Sequence, residues 1–140
     1  MRHVRILELR DAELMLEAAA EEASRRGWNV SMAVVDQCGC LMAFKKMDRA
    51  TVSSAQTAIQ KARSAALTKR PTKFFEDMVN AGRPGAAMID GVFPIEGGLP
   101  VQVGDETVGG LGVSGLKSEL DLVLVEAGLS AFARHCSTLA

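Results

Sequence analysis

The chain has no tyrosine, one tryptophan and five phenylalanines in 140 residues. A core built on large rings is excluded. Alanine, glycine and methionine must fill it through close backbone contact. Cysteine is sparse and odd in number, with three residues, Cys38, Cys40 and Cys136. A disulfide framework is therefore not expected, and the thiols read as reduced. Neither charge sign dominates: 16 basic and 17 acidic residues leave a net charge of −1. General nucleic-acid binding draws on an excess of Lys and Arg, so no nucleic-acid partner is expected. No apolar run approaches the ~20 residues of a membrane span, so no membrane partner is expected either. Met1–Arg10 mixes Arg, His and Glu with isolated apolar residues and lacks a signal-peptide core, which predicts a cytoplasmic address. Hydrophobic residues make up 48%, too many for a disordered chain. Residues 1–140 read as one domain, long enough to bury its own core.

Hydrophobic spacing predicts a helix over Asp11–Arg26, with Asp11 as N-cap and Gly27 as the left-handed stop. Val30–Asp36 and Leu41–Lys46 read as two strands joined by the tight turn Asp36-Gln37-Cys38-Gly39. A helix from Ser53 or Ser54 to about Lys69 carries a narrow face of Ala55, Ala58, Ile59, Ala62, Ala65 and Ala66, and Pro71 ends it. Thr72 reads as the cap of a short helix through Val79, and Met88–Phe93 reads as a short strand. Pro94–Pro100 cannot form a central strand and reads as an ordered loop. Val101–Val103 and Thr107–Val113 form a second hairpin. A last helix starts at Ser118, paired with Asp121 in a capping box, and runs to about Arg134. Hairpin connections predict a mostly antiparallel sheet of about five strands with helices packed on it, an α+β domain.

Gly110-Leu111-Gly112-Val113-Ser114-Gly115 matches G-x-G-x-x-G, yet no strand follows the next helix to supply the acidic residue of a dinucleotide site. Its glycines suit close strand–helix packing, and the turn with Gly112 and Ser114 suits a ligand carboxylate or phosphate. Cys38-Gly39-Cys40 lacks the spacing and the second cysteine pair of a zinc knuckle, so no metal site is expected. His3 and His135 lie near the termini, which disfavours a Ser-His-Asp triad. Lys61 follows the small-residue face closely, and Glu96 stands between Pro94-Ile95 and Gly97-Gly98. A carboxylate in such a loop is either an ionised anchor among N–H groups or, in an apolar pocket, a general acid or base.

Ser31–Asp36, Phe44–Asp48, Lys61–Ala66, Arg70-Pro71-Thr72, Ile95–Pro100 and Gly112–Gly115, in this order and spacing, resemble the GlcG/HbpS-like family, which includes the C-terminal domain of PduO-type corrinoid adenosyltransferases. The likeness runs over about residues 9–133. It implies a profilin-like fold, dimers that build rings or octamers, and haem as the ligand of some members. Where members often carry Gly-Gly-His at the first hairpin, this chain has Cys38-Gly39-Cys40. A thiolate can replace a histidine as a haem ligand.

Taken together, these features predict a homo-oligomer that binds a small molecule, with haem as the candidate cofactor. The alternative is a tautomerase- or isomerase-type enzyme acting on a small carboxylated metabolite, with Glu96 moving the proton and Lys61 or the Gly112–Ser114 turn holding the anion. In either case the expected site gathers Glu96 and Lys61 with Arg63, Phe93, Gly97, Gly98, Gly112 and Ser114. A bridge between Cys38 and Cys40 would be strained across a tight turn. Thiol titration of the unfolded protein without reductant should therefore find all three thiols, and finding one would overturn this reading.

Overall fold

The structure, a computed structural model, describes residues 1–139. The chain runs α1 (Leu9–Arg26), β1 (Ser31–Asp36), β2 (Leu41–Lys46), α2 (Ser54–Thr68), α3 (Thr72–Asn80), a 3-10 turn (Pro84–Met88), β3 (Gly98–Val103), β4 (Glu106–Ser114) and α4 (Ser118–Leu139). The strands form one antiparallel sheet in the order β2-β1-β4-β3. The α+β class expected from the hairpins is what the chain adopts, with four strands. The Met88–Phe93 stretch is no strand. Met88 closes the 3-10 turn and the rest bends and turns: the Val92 N–H goes back to the Ile89 carbonyl at 3.0 Å and the Phe93 N–H to the Ser64 side chain at 2.9 Å, neither to a neighbouring strand.

Alternation along β1 sorts the core into two layers. Met32 and Val34 pack with Leu111 and Val113 of β4 under α1 and α4. Ala33 and Val35 face Ala58, Ala62 and Ala66 of α2 on the other side. The first layer holds the methionines and leucines, and the second is built almost wholly from small residues. That division explains how a chain poor in aromatics closes both faces.

Local chemistry sets the element ends. Asp11 lies inside α1, where its carboxylate accepts the N–H of Glu8 at 2.8 Å, so the helix starts two residues before the expected cap. Gly27 takes the left-handed conformation at its end. Gly98–Pro100, expected as the end of a loop, instead begin β3; that strand lies at the sheet edge, so Pro100 costs no central ladder bond.

Gly98, Gly110 and Gly112 form a floor beneath α2. A side chain at Gly110 would collide with the Ala62 carbonyl oxygen, and one at Gly112 with the Ala58 carbonyl oxygen. Gly98 meets the Lys61 carbonyl in the same way. All three partners are backbone, so none can swing aside. Gly110→Ala should therefore cost about 1–3 kcal/mol or more through overpacking. Urea unfolding should show its midpoint well below the wild type, whereas Gly104→Ala, whose added methyl meets nothing within 4 Å, serves as the exposed control for positive-φ strain alone.

Candidate functional site

Lys61 is 2% exposed and fully surrounded. Its ammonium donates to the Val113 carbonyl at 3.0 Å and to Asp121 Oδ2 at 3.1 Å. Asp121, 1% exposed, accepts the Leu116 N–H with its other oxygen at 3.1 Å. The Ser118–Asp121 capping box thus gives way to a different bond. Lys61 comes from α2 on one face of the sheet, while Asp121 opens α4 on the other. The pair joins the two layers around the end of β4 and fixes the Ser114–Leu116 turn. Sequence reasoning missed Asp121. The available signal was Lys61 itself, since a cation placed on an apolar stripe must find a buried anion.

The segment Phe93–Gly98 rests on this pair. Gly97, at φ 125, lies so close that a Cβ there would stand 2.7 Å from Lys61 Nζ. The Gly97 carbonyl accepts the Val113 N–H at 3.0 Å. Ser64 of α2 accepts the Phe93 N–H at 2.9 Å, and Thr72 of α3 accepts the Gly98 N–H at 3.0 Å. The loop is therefore held at both ends by hydroxyls and in the middle by β4. Thr72 caps nothing and acts across space instead, which local helix rules cannot reveal.

Lys61, Gly97, Gly98 and Gly112 are in mutual contact, with Gly98 opposite Gly112 in the sheet register. Glu96 precedes Gly97, is buried, and sits within electrostatic reach of Lys73 on α3. Phe93 begins the same loop. Ser114 is buried at the end of β4, opposite Ser31. Arg63 goes elsewhere, because residues two apart on a helix point to different sides. It is exposed, with its Nε near Gly39 at the tip of the first hairpin. Phe74 of α3, Met88 of the 3-10 turn, Ile89 just after it and Ile95 of the loop are all exposed apolar side chains. Arg70 stacks on Phe74 at 4.2 Å. Cys38 and Cys40 are free and exposed, and both their N–H groups donate to Asp36 Oδ1. Among the described residues no three His, Cys, Asp or Glu side chains gather as metal ligands.

Burial pushes the Asp121 carboxyl up to about 6, against the opposing pull of Lys61. A folded-state value above the unfolded one means the native state binds the proton more tightly. The contribution of this group is complete below the unfolded carboxylate value of ~4 and is lost as pH rises through 6. Between pH 5 and pH 7 the wild type should lose on the order of 1 kcal/mol from this group. In Asp121→Asn that loss should be absent, although the variant is less stable throughout because Lys61 is left buried and unpaired. Parallel pH slopes for the two proteins in urea unfolding would overturn this account.

Residues 7–130 match the family model described as "Haem degrading protein HbpS-like". Protein GlcG of Escherichia coli K12 is 40% identical over 109 residues, covering 78% of this chain and 81% of that protein. The crystal structure of Klebsiella pneumoniae protein ORFY superposes with a TM-score of 0.89 at 30% identity, covering 95% of this chain and 94% of that one. The PduOC–haem complex superposes with a TM-score of 0.83 at 26% identity, over 91% of this chain and 95% of that one. No helix among the described residues is long and apolar enough to cross a membrane. A family model spanning most of the chain and a relative this close over four-fifths of its own length lead to one assignment: the chain belongs to the HbpS-like family.

Proposed function

We propose that this protein binds a small ligand, with haem as the leading candidate, and acts as a cytoplasmic homo-oligomer. The observation that carries the reading is the likeness to a relative whose structure is a haem complex. The surface around Phe93–Gly98 supports it. Phe74, Ile95, Met88 and Ile89 offer exposed apolar area of the kind a planar macrocycle or a second copy covers. Arg70, stacked on Phe74, stands beside it to meet a carboxylate, while Lys73 is already paired with Asp77 at 2.8 Å. Glu96, Phe93, Gly97 and Gly98 supply the contact surface in this reading. Lys61, Gly112 and Ser114 form the frame beneath, and Arg63 serves the neighbouring hairpin face with Cys38 and Cys40.

A second reading follows from Glu96. It is buried yet forms no ion pair within 4.0 Å among the described residues, unlike Asp121. A carboxylate kept out of structural pairing suits proton transfer on a small carboxylated metabolite, the work of a tautomerase or isomerase.

Haemin titration should give a saturable Soret band, and light scattering at micromolar concentration should give a mass of at least a dimer. No Soret change together with a monomer mass would overturn the first reading. Solvent-deuterium exchange at the carbon beside a 2-keto acid carbonyl, present in the wild type and lost in Glu96→Gln, would establish the second instead.

A further inference from the structure

The first turn of α2, which begins at Ser54 and runs for 15 residues, is left open. Ser53 before it has a helical backbone and its side chain caps nothing, and no acidic residue stands in the turn. Among the described residues the N–H groups of Ala55 and Gln56 have no acceptor. We propose that this turn, together with the Ser114 hydroxyl, binds a small oxyanion, the carboxylate or phosphate group of a small molecule.

Ser114 is the observation that does not depend on the helix. It is only 8% exposed, and its Oγ makes no hydrogen bond among the described residues. The atom is not sealed from solvent, so a guest can reach it. The sheet register aims it at the open turn. Along β4, Gly110 lies under Ala62 and Gly112 under Ala58. Side chains alternate along a strand, so Ser114 comes next on the same face, one helix turn nearer the start of α2. Ser31, opposite Ser114 in β1, fixes that position by meeting Ser54 Oγ at 2.8 Å. The neighbouring hydroxyls are already engaged. Ser54 donates to the Thr51 carbonyl at 2.6 Å, which leaves Ser31 to donate to Ser54. Of the three serines, Ser114 alone keeps a free O–H.

Every group on offer is a donor. Two backbone N–H groups at the positive end of a helix and one buried O–H are met together by a guest that only accepts, and an oxyanion does so. Lys46 stands opposite Ser31 on the same face of the sheet. In residues 46–53, which lead into α2, Lys46 and Arg49 outnumber the one carboxylate, Asp48. These exposed cations add attraction, while the amides and Ser114 define the place. Lys61, about two turns along α2, takes no part, because Asp121 and the Val113 carbonyl occupy its ammonium. The assignment is independent of what the Phe93–Gly98 loop binds.

Inorganic phosphate and acetate are the probes, with chloride as the control at matched ionic strength. In an NMR titration, phosphate or acetate should move the Ala55 and Gln56 amide resonances in a saturable way, and chloride should not. The tighter of the two names the group that the guest carries. Ser114→Ala removes one hydroxyl and should weaken that anion several-fold, with a melting temperature close to the wild type. Lys46→Gln, an exposed change that leaves the amides and Ser114 in place, should weaken it less, and the difference should shrink as salt is added. No saturable shift at Ala55 and Gln56 with either anion would overturn the proposal. So would an unchanged affinity in a folded Ser114→Ala, or equal responses at the first turns of α1 and α4.

Discussion

The closeness with which α2 lies on β4 decides most of this structure. Backbone meets backbone there: the carbonyls of Ala58, Lys61 and Ala62 stand over Gly112, Gly98 and Gly110. Only glycine below permits that distance, and above it the small Ala58 and Ala62 flank Lys61. The arrangement also explains the composition. A face closed by small residues leaves the few large apolar side chains for the α1 and α4 side, where Met15, Leu16, Met32 and Leu111 are buried together.

That approach has a cost at Lys61. A helix seated so low carries its lysine below the surface, where an unpaired ammonium would be untenable. Asp121 meets it from the opposite layer, and the Val113 carbonyl supplies a second acceptor. The pair itself is weak support for stability, since desolvation offsets much of its attraction. Its structural consequence is greater. It closes the end of the sheet, sets the turn into α4 and provides the surface on which Gly97 rests. A cation committed in this way is a part of the frame rather than a free hand for an anionic guest.

The sequence made the helices, both hairpins and the antiparallel class legible, because each is written in local spacing and turn chemistry. Glu96, Lys61 and the Gly112–Gly115 turn were also legible as candidate site residues. What stayed hidden is the set of contacts across the fold: Lys61 with Asp121, Thr72 with Gly98, and Ser64 with Phe93. Their separations of 60, 26 and 29 residues carry no periodic signature. Asp121 and Thr72 were each assigned a local capping role that their side chains abandon for a longer-range bond. The segment Met88–Phe93 failed for the related reason that apolar composition marks burial or association as readily as it marks a strand.

The pinning of Phe93–Gly98 bears on how any ligand is held. Hydroxyls at both ends and β4 in the middle leave the loop little freedom, so a ligand meeting Glu96 finds a prepared wall. A prepared wall lowers the ordering cost of binding. It is still only a wall, because the apolar side chains beside it stand exposed in the single chain. Covering that surface takes either a broad flat ligand or a second copy of the chain. In the proposed oligomer the two are linked: whatever binds the assembled form more tightly than the single chain also draws the chains together. Ligand affinity and assembly would then be two readings of the same exposed surface, with the glycine floor under α2 keeping that surface in one shape.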